Sequence, residues 1–274
     1  MSYIDVGAGD TVVLAHDYLC DAEMWRAQID VLSKQYRVII PELWGHGKSG
    51  RMPWGTKDLN DIAYHHVVLL DHLGVRDFAL IGLSAGGMWA AELALMIPQQ
   101  VTGLALLGSY VGPEQTEDRE RYLSILAEFK SRRAPSDHDA DTIVHWFFSP
   151  EAIRLNPLLV QNFRERLLEP KNKRIIDTLV AMGRIILNRR NALPDLADLT
   201  VPAIVMTGQH DHSHPPKEGW AMAKALNCMF IELRGAGHLS SIEAPEEVTR
   251  HLLGFLAHIK RDDCNDSKAD KGRL

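Results

Sequence analysis

Apolar positions along the chain follow two rhythms. Short strand-like runs, most of them apolar or β-branched, occur at Tyr3–Val6, Thr11–Ala15, Arg37–Pro41, Phe78–Leu83, Val101–Leu107, Ala203–Thr207 and Met229–Leu233. Between them lie stretches with apolar residues at helical spacing. The first holds Met24, Trp25, Ile29 and Leu32, with Asp21 placed to cap it. Others run from Leu59 to Leu73 with Gly74 as C-cap, from Met88 to Ile97, from Glu218 to Leu226, and from Pro245 to Ile259. Strands that are apolar throughout belong in a parallel sheet covered on both faces, so the alternation predicts an α/β architecture. The rhythm breaks between residues 112 and 192, where no convincing strand occurs. Helices are expected there around Glu117–Lys130, Asp139–Phe148, Leu158–Leu168 and Arg174–Leu187, with Pro135, Pro150, Pro157 and Pro170 near their ends. The chain therefore reads as an α/β core, residues 1–111 and 193–261, with a helical lid inserted at 112–192. The polar tail, 262–274, reads as disordered.

Composition adds bounds but no identity. At 274 residues the chain can bury a core without a disulfide or metal. Its formal net charge of -6 argues against nucleic acid as partner. No apolar run approaches membrane-spanning length, and the N-terminus lacks the pattern of a signal peptide. Cys20, Cys228 and Cys264 are far apart and odd in number, which points to a reducing cytoplasm. The sequence sets no oligomeric state.

Candidate chemistry lies at strand ends. Phe78–Leu83 runs into Gly82-Leu83-Ser84-Ala85-Gly86 and then directly into a helix. A serine on such a turn is held in a strained conformation with its hydroxyl thrust out of the sheet. A serine hydroxyl needs a base, and the base needs an orienting acid. Asp211 follows the Ala203–Thr207 strand and His238 follows Met229–Leu233. In a parallel sheet the loops after the strands share one edge, so Ser84, Asp211 and His238 are expected to meet there. An oxyanion hole requires two backbone N–H groups. Ala85, next to the serine and at a helix start, is expected to give one; Tyr18, in the loop after Thr11–Ala15, is expected to give the other.

Other motifs carry less. Gly47-Lys48-Ser49 resembles the end of a phosphate-binding loop, but Glu42 stands where that loop requires glycine. His210, His212 and His214 alternate without a second ligand group at metal spacing, so no metal is assigned. No cofactor is called for. In the helical section Trp146, Phe147 and Met182 are candidates for an apolar substrate pocket together with Tyr18, the alternative being that they only pack the helices together. Arg184, Arg189 and Arg190 are candidates for a substrate carboxylate, against a plainer reading as a solvated basic face.

As a set, His16-Asp17-Tyr18, Met24-Trp25, Gly45-His46-Gly47-Lys48-Ser49, Gly82-Leu83-Ser84-Ala85-Gly86-Gly87, Gly208-Gln209-His210-Asp211 and Gly235-Ala236-Gly237-His238 resemble the α/β-hydrolase fold superfamily, in its esterase and 3-oxoadipate enol-lactonase branch. The resemblance spans about Val12 to Ile259 and implies that fold, a Ser-His-Asp triad and a small-molecule ester or lactone as substrate. Small or aryl esters, enol-lactones and acyl-homoserine lactones are all candidates. The fold also hosts C–C bond hydrolases, perhydrolases and cofactor-free oxygenases, and receptors that retain the triad. One position departs from the pattern. The family usually has glycine where this chain has Asp17. Aspartate tolerates positive φ better than most residues, which would let the loop survive. A carboxylate pointing inward there would disfavour an anionic transition state.

Overall fold

A computed structural model of the chain describes residues 1–169 and 173–271. The N-terminal half alternates as the apolar runs predict. It contains β1 (Tyr3–Val6), β2 (Thr11–Ala15), α1 (Arg26–Leu32), β3 (Arg37–Pro41), α2 (Leu59–His72), β4 (Phe78–Leu83), α3 (Ala85–Met96) and β5 (Val101–Leu107). Helices alone follow: α4 (Thr116–Arg132), α5 (Asp137–Phe147), α6 (Pro150–Leu155), α7 (Pro157–Leu168) and α8 (Lys173–Leu187). The alternation resumes with β6 (Ala203–Gly208), α9 (Pro216–Ala225), β7 (Met229–Leu233), α10 (Ser240–Glu243) and α11 (Pro245–Lys271).

The seven strands form one sheet in the order β1-β3-β2-β4-β5-β6-β7. Every pairing is parallel except the edge strand β1 on β3. Side chains alternate across this sheet, and the two faces are both buried. Val12, Leu14, Val38, Ile40, Ile81 and Leu83 belong to one apolar cluster; Val13, Ala15, Ile39, Leu80, Leu104 and Val205 belong to the other. Helices α1 and α11 cover the first face and α2, α3 and α9 the second. Trp25 and Trp89 are fully buried in these layers.

The helical section leaves and rejoins the core at one point, where the Ala192 N–H donates to the Val111 carbonyl at 2.9 Å. The short α10 was not expected from the sequence, and two further details differ from the sequence reading. A short helix, α6, follows Ser149, whose hydroxyl caps it by accepting from the Ala152 N–H, with Pro150 at its first position. The terminal helix does not stop at Ile259. It continues through Lys271, so the tail expected to be disordered is helical up to there. Residues 260–271 contain neither glycine nor proline, so no strong helix breaker occurs between Ile259 and Gly272. Residues 272–274 of that tail lie outside the described residues.

Candidate active site

Strand ends bring the predicted residues together. Ser84 sits between β4 and α3 with φ 53° and ψ -119°, a conformation costly to any residue with a side chain. The elbow survives because its neighbours are glycines. A Cβ on Gly82 would lie 2.5 Å from the Gly87 nitrogen, and one on Gly86 would lie 2.2 Å from the Ala15 carbonyl oxygen. Three backbone or hydroxyl contacts hold the turn. The Ser84 N–H donates to the Leu107 carbonyl at 2.8 Å, and the Ser84 carbonyl accepts from Met88 N–H at 2.9 Å and from the Ser109 hydroxyl at 3.0 Å. Ser109 carried no sequence signal.

His238 and Asp211 form a buried pair. His238 Nδ1 lies 3.0 and 2.9 Å from the two Asp211 carboxylate oxygens. Asp211 Oδ1 also accepts from the N–H groups of Ser213 at 2.9 Å and His214 at 2.8 Å. These bonds fix the carboxylate, and through it the imidazole. The His238 Nε2 edge is thereby turned away from Asp211.

The loop after β2 supplies the remaining wall. His16 Nδ1 lies 2.7 Å from the Asp17 carbonyl, and its Nε2 accepts from the Leu43 N–H at 2.9 Å, so this buried imidazole ties the loop to the one after β3. Burial holds His16 below its ordinary pKa, which suits the neutral tautomer these bonds require. The left-handed residue in this loop is Leu19, with φ 65°; Asp17 is not among the positive-φ residues. The expectation that Asp17 serves by tolerating positive φ is therefore wrong, and the strain falls two residues later, where the Leu19 N–H donates to His46 Nε2 at 3.0 Å.

Asp17 turns inward. Its Oδ1 accepts from the Tyr18 N–H at 2.6 Å and from the Ala85 N–H at 3.2 Å. The two donors predicted from sequence thus converge on a single point, and that point holds a carboxylate oxygen. Asp17 Oδ2 lies 3.3 Å from His238 Nε2. Burial opposes the charge on His238, but the two carboxylates prevail, Asp211 most strongly, and push its pKa up to about 10.

A pocket opens from Ser84 and His238 beneath the inserted helices. Tyr122, Phe129, Trp146 and Phe147 line it together with Tyr18 and Gly183. Of the residues named from sequence for an apolar pocket, Tyr18, Trp146 and Phe147 lie on this lining. Met182 does not. On α8 successive residues are about 100° apart, so with Gly183, Ile186 and Leu187 on the pocket side, Met182 turns toward Ile185 and is buried in the second apolar cluster. Tyr122 and Phe129, on α4, were missed because the charged residues around them mask the helix's inner stripe. The arginines do not line the pocket. Arg189 is buried against Glu114 at 2.8 Å, and Arg190 pairs with Glu92 at 2.7 Å and with Asp195. Neither is the freely solvated base the sequence suggested. The Glu42 carboxylate accepts from the Lys48 N–H at 2.7 Å, so the Gly47-Lys48-Ser49 turn is filled from within.

The sequence profile of the alpha/beta hydrolase fold matches residues 10–245. Among curated relatives, 3-oxoadipate enol-lactonase 1 of Acinetobacter baylyi is 25% identical over 249 residues, which is 91% of this chain and 89% of the relative. Among solved structures, a thermophilic esterase from Thermogutta terrifontis superposes with a TM-score of 0.86 at 28% identity, covering 94% of this chain and 93% of that one. The enol-lactonase from Burkholderia xenovorans superposes at 0.82 and 24% identity, covering 93% of this chain and 96% of that one. At that identity the last likeness speaks for the fold alone.

Proposed function

The chain belongs to the alpha/beta hydrolase fold family, and we propose that it is a serine hydrolase that cleaves carboxylic esters or lactones through an acyl-enzyme. The observation that carries this reading is the convergence of a strained Ser84, a His238 oriented by Asp211, and the Tyr18 and Ala85 N–H groups aimed at one point. In this mechanism Ser84 Oγ attacks the substrate carbonyl while His238 Nε2 takes its proton. The carbonyl oxygen becomes an oxyanion held by the Tyr18 and Ala85 N–H groups. The proton passes from His238 to the leaving alkoxide, and a water then repeats the sequence to release the acid. Asp211 keeps the imidazole in the tautomer with Nδ1 protonated.

The pocket supports an uncharged substrate with an apolar acyl or aryl group. Away from Asp17, Ser84, Ser213, His214 and His238 its lining is aromatic and aliphatic, and the acid in that part, Glu114, is already paired with Arg189. Arg184, Arg189 and Arg190 stand off the lining, which argues against a dicarboxylate enol-lactone and for aryl esters or acyl-homoserine lactones. Cys20 and Cys228 are free thiols, which supports the cytoplasm as the place of action.

Prolonged incubation with a fluorophosphonate is expected to give one adduct per chain, mapped to Ser84 by mass spectrometry, and His238→Ala is expected to abolish it. An adduct on another residue, or undiminished ester turnover by Ser84→Ala, would overturn the assignment. A turnover panel of p-nitrophenyl esters, acyl-homoserine lactones and an enol-lactone is expected to favour the uncharged, longer substrates.

A further inference from the structure

Asp17 occupies the two positions that acyl transfer needs free. Its Oδ1 takes both N–H groups proposed for the oxyanion, at 2.6 and 3.2 Å. Its Oδ2 lies 3.3 Å from His238 Nε2, the nitrogen that must accept the serine proton. The side chain is only 1% exposed, so water does not screen this arrangement. A fixed negative charge in the hole repels the oxyanion that would form there. A cationic imidazole facing that charge has no lone pair to offer Ser84.

From this geometry we infer that Asp17 is an internal ligand of the active site, holding it in a resting state until a substrate displaces the carboxylate from the oxyanion hole and from His238. The inference rests on the Ser84 reading above.

The surroundings are compatible with displacement. Asp17 Oδ2 makes an ion contact with His238 but no directed hydrogen bond, so the side chain is held at one oxygen by hydrogen bonds and at the other by charge. The backbone is anchored independently: the Asp17 carbonyl accepts from Cys20 N–H at 3.2 Å and faces His16 Nδ1. The side chain can therefore rotate without unmaking the loop.

Other charged groups near the pair are already engaged. His238 faces Asp211, Glu243 and His214 as well as Asp17. Glu243 accepts from the Ser149 N–H at 3.0 Å, and His214 Nδ1 sits 3.0 Å from Glu218. Glu114, on the pocket wall, is neutralised by Arg189. Around Asp17 stand His16, held neutral by burial, the Tyr18 phenol, Asp21 and the Cys20 thiol. Of these described neighbours, His238 is the cation that faces the Asp17 carboxylate. Removing Asp17 therefore acts on His238 directly, leaving Asp211 as its partner. The residue also sets specificity. A substrate that seats its apolar group firmly among Tyr122, Phe129, Trp146 and Phe147 gains the binding energy that displacement requires, whereas a short ester does not.

The test compares the wild type with Asp17→Asn and Asp17→Ala. The readouts are the second-order rate of Ser84 phosphonylation from pH 5.5 to 10.5 and kcat/KM for short and long esters, with thermal denaturation as a check on folding. The asparagine keeps an oxygen in the hole but removes the charge. It is expected to lower the pH at which labelling rises, by at least about one unit, with a small gain in rate at pH 7. The alanine empties the hole as well. It is expected to shift the profile in the same way and to speed labelling at pH 7 about 10- to 100-fold, with the larger gain on short esters. If both variants label Ser84 at the wild-type rate with an unmoved profile, or if folded Asp17→Ala loses activity, the inference is overturned and the Ser84 reading stands. If no variant is labelled on Ser84, that reading falls and takes the inference with it.

Discussion

Gly86 shows how little room the elbow leaves. The carbonyl oxygen of Ala15 lies 2.2 Å from where a Cβ would stand, and the Gly86 position is backbone against backbone, with no flexible side chain to yield. Gly86→Ala must push α3 away from the end of β2. We expect it to destabilise the fold by about 1–3 kcal/mol in urea denaturation, and to slow Ser84 phosphonylation as the Ala85 N–H leaves its place. His238 gives a second test at this scale. Its pKa is raised to about 10, with burial opposing and the Asp211 and Asp17 carboxylates prevailing. A group whose pKa is raised by folding contributes stability that is complete below its unfolded pKa, about 6.5, and lost as pH climbs through the folded one. The melting temperature is therefore expected to fall between about pH 6.5 and pH 10, and to fall less in His238→Gln. Equal slopes in the two proteins would contradict the stabilisation of charged His238 by Asp211 and Asp17. Ser84, Asp211 and His238 were legible because each follows a strand, and strand ends share an edge. The inward turn of Asp17 was not legible as a fact. It depends on the side-chain torsion of one residue in a loop whose left-handed position fell on Leu19 instead.

Strands and inserted helices were legible to different degrees for a physical reason. A parallel strand is buried on both faces, so β2 to β6 announce themselves as apolar runs with near-exact limits. Helices α4, α5, α7 and α8 each bury one stripe among charged neighbours, so their existence was readable while their facing was not; α6, at six residues, was too short to show a stripe at all. Met182 and Gly183 are adjacent on α8, yet only the second lines the pocket. Gly183 is where this element meets the substrate space: a Cβ there would lie 2.8 Å from Leu126 Cδ1 and 2.9 Å from the Tyr18 hydroxyl. Both are side-chain ends, so a larger residue can be accommodated by filling the pocket. Gly183→Leu is expected to lower kcat/KM for octanoate relative to acetate esters by about 10- to 100-fold, since each methylene excluded from an apolar pocket is worth roughly 1–3 kcal/mol. An unchanged chain-length profile would show that acyl chains run elsewhere.

At the scale of the whole molecule, the inserted helices must be held over the core by what lies at their base. The Val111 and Ala192 backbones are joined there, and beside them Arg189 Nη1 reaches Glu114 Oε2 at 2.8 Å. Both side chains are almost wholly buried, at 1% and 6% exposure. Arg189 Nη1 also donates to the Ile186 carbonyl at 3.2 Å, while its Nε and Nη2 find no partner. The sequence concealed this pair because its members are 75 residues apart, and a buried arginine looks like a surface one until its partner is in view. A buried ion pair is a weak contributor in itself, because both charges have left water. Breaking one side of it is costly, because the other charge stays behind. Glu114→Gln is therefore expected to destabilise by about 3–5 kcal/mol in denaturant titration, and to loosen the pocket, raising KM for long esters more than it lowers kcat. Adding Arg189→Met to Glu114→Gln removes the stranded guanidinium while keeping its packing. The double variant is expected to recover most of the lost stability, so that the two single losses are strongly non-additive in a double-mutant cycle. Additive losses would mean that the two residues act separately, and that the helices are held at their base by the backbone bond and apolar packing alone.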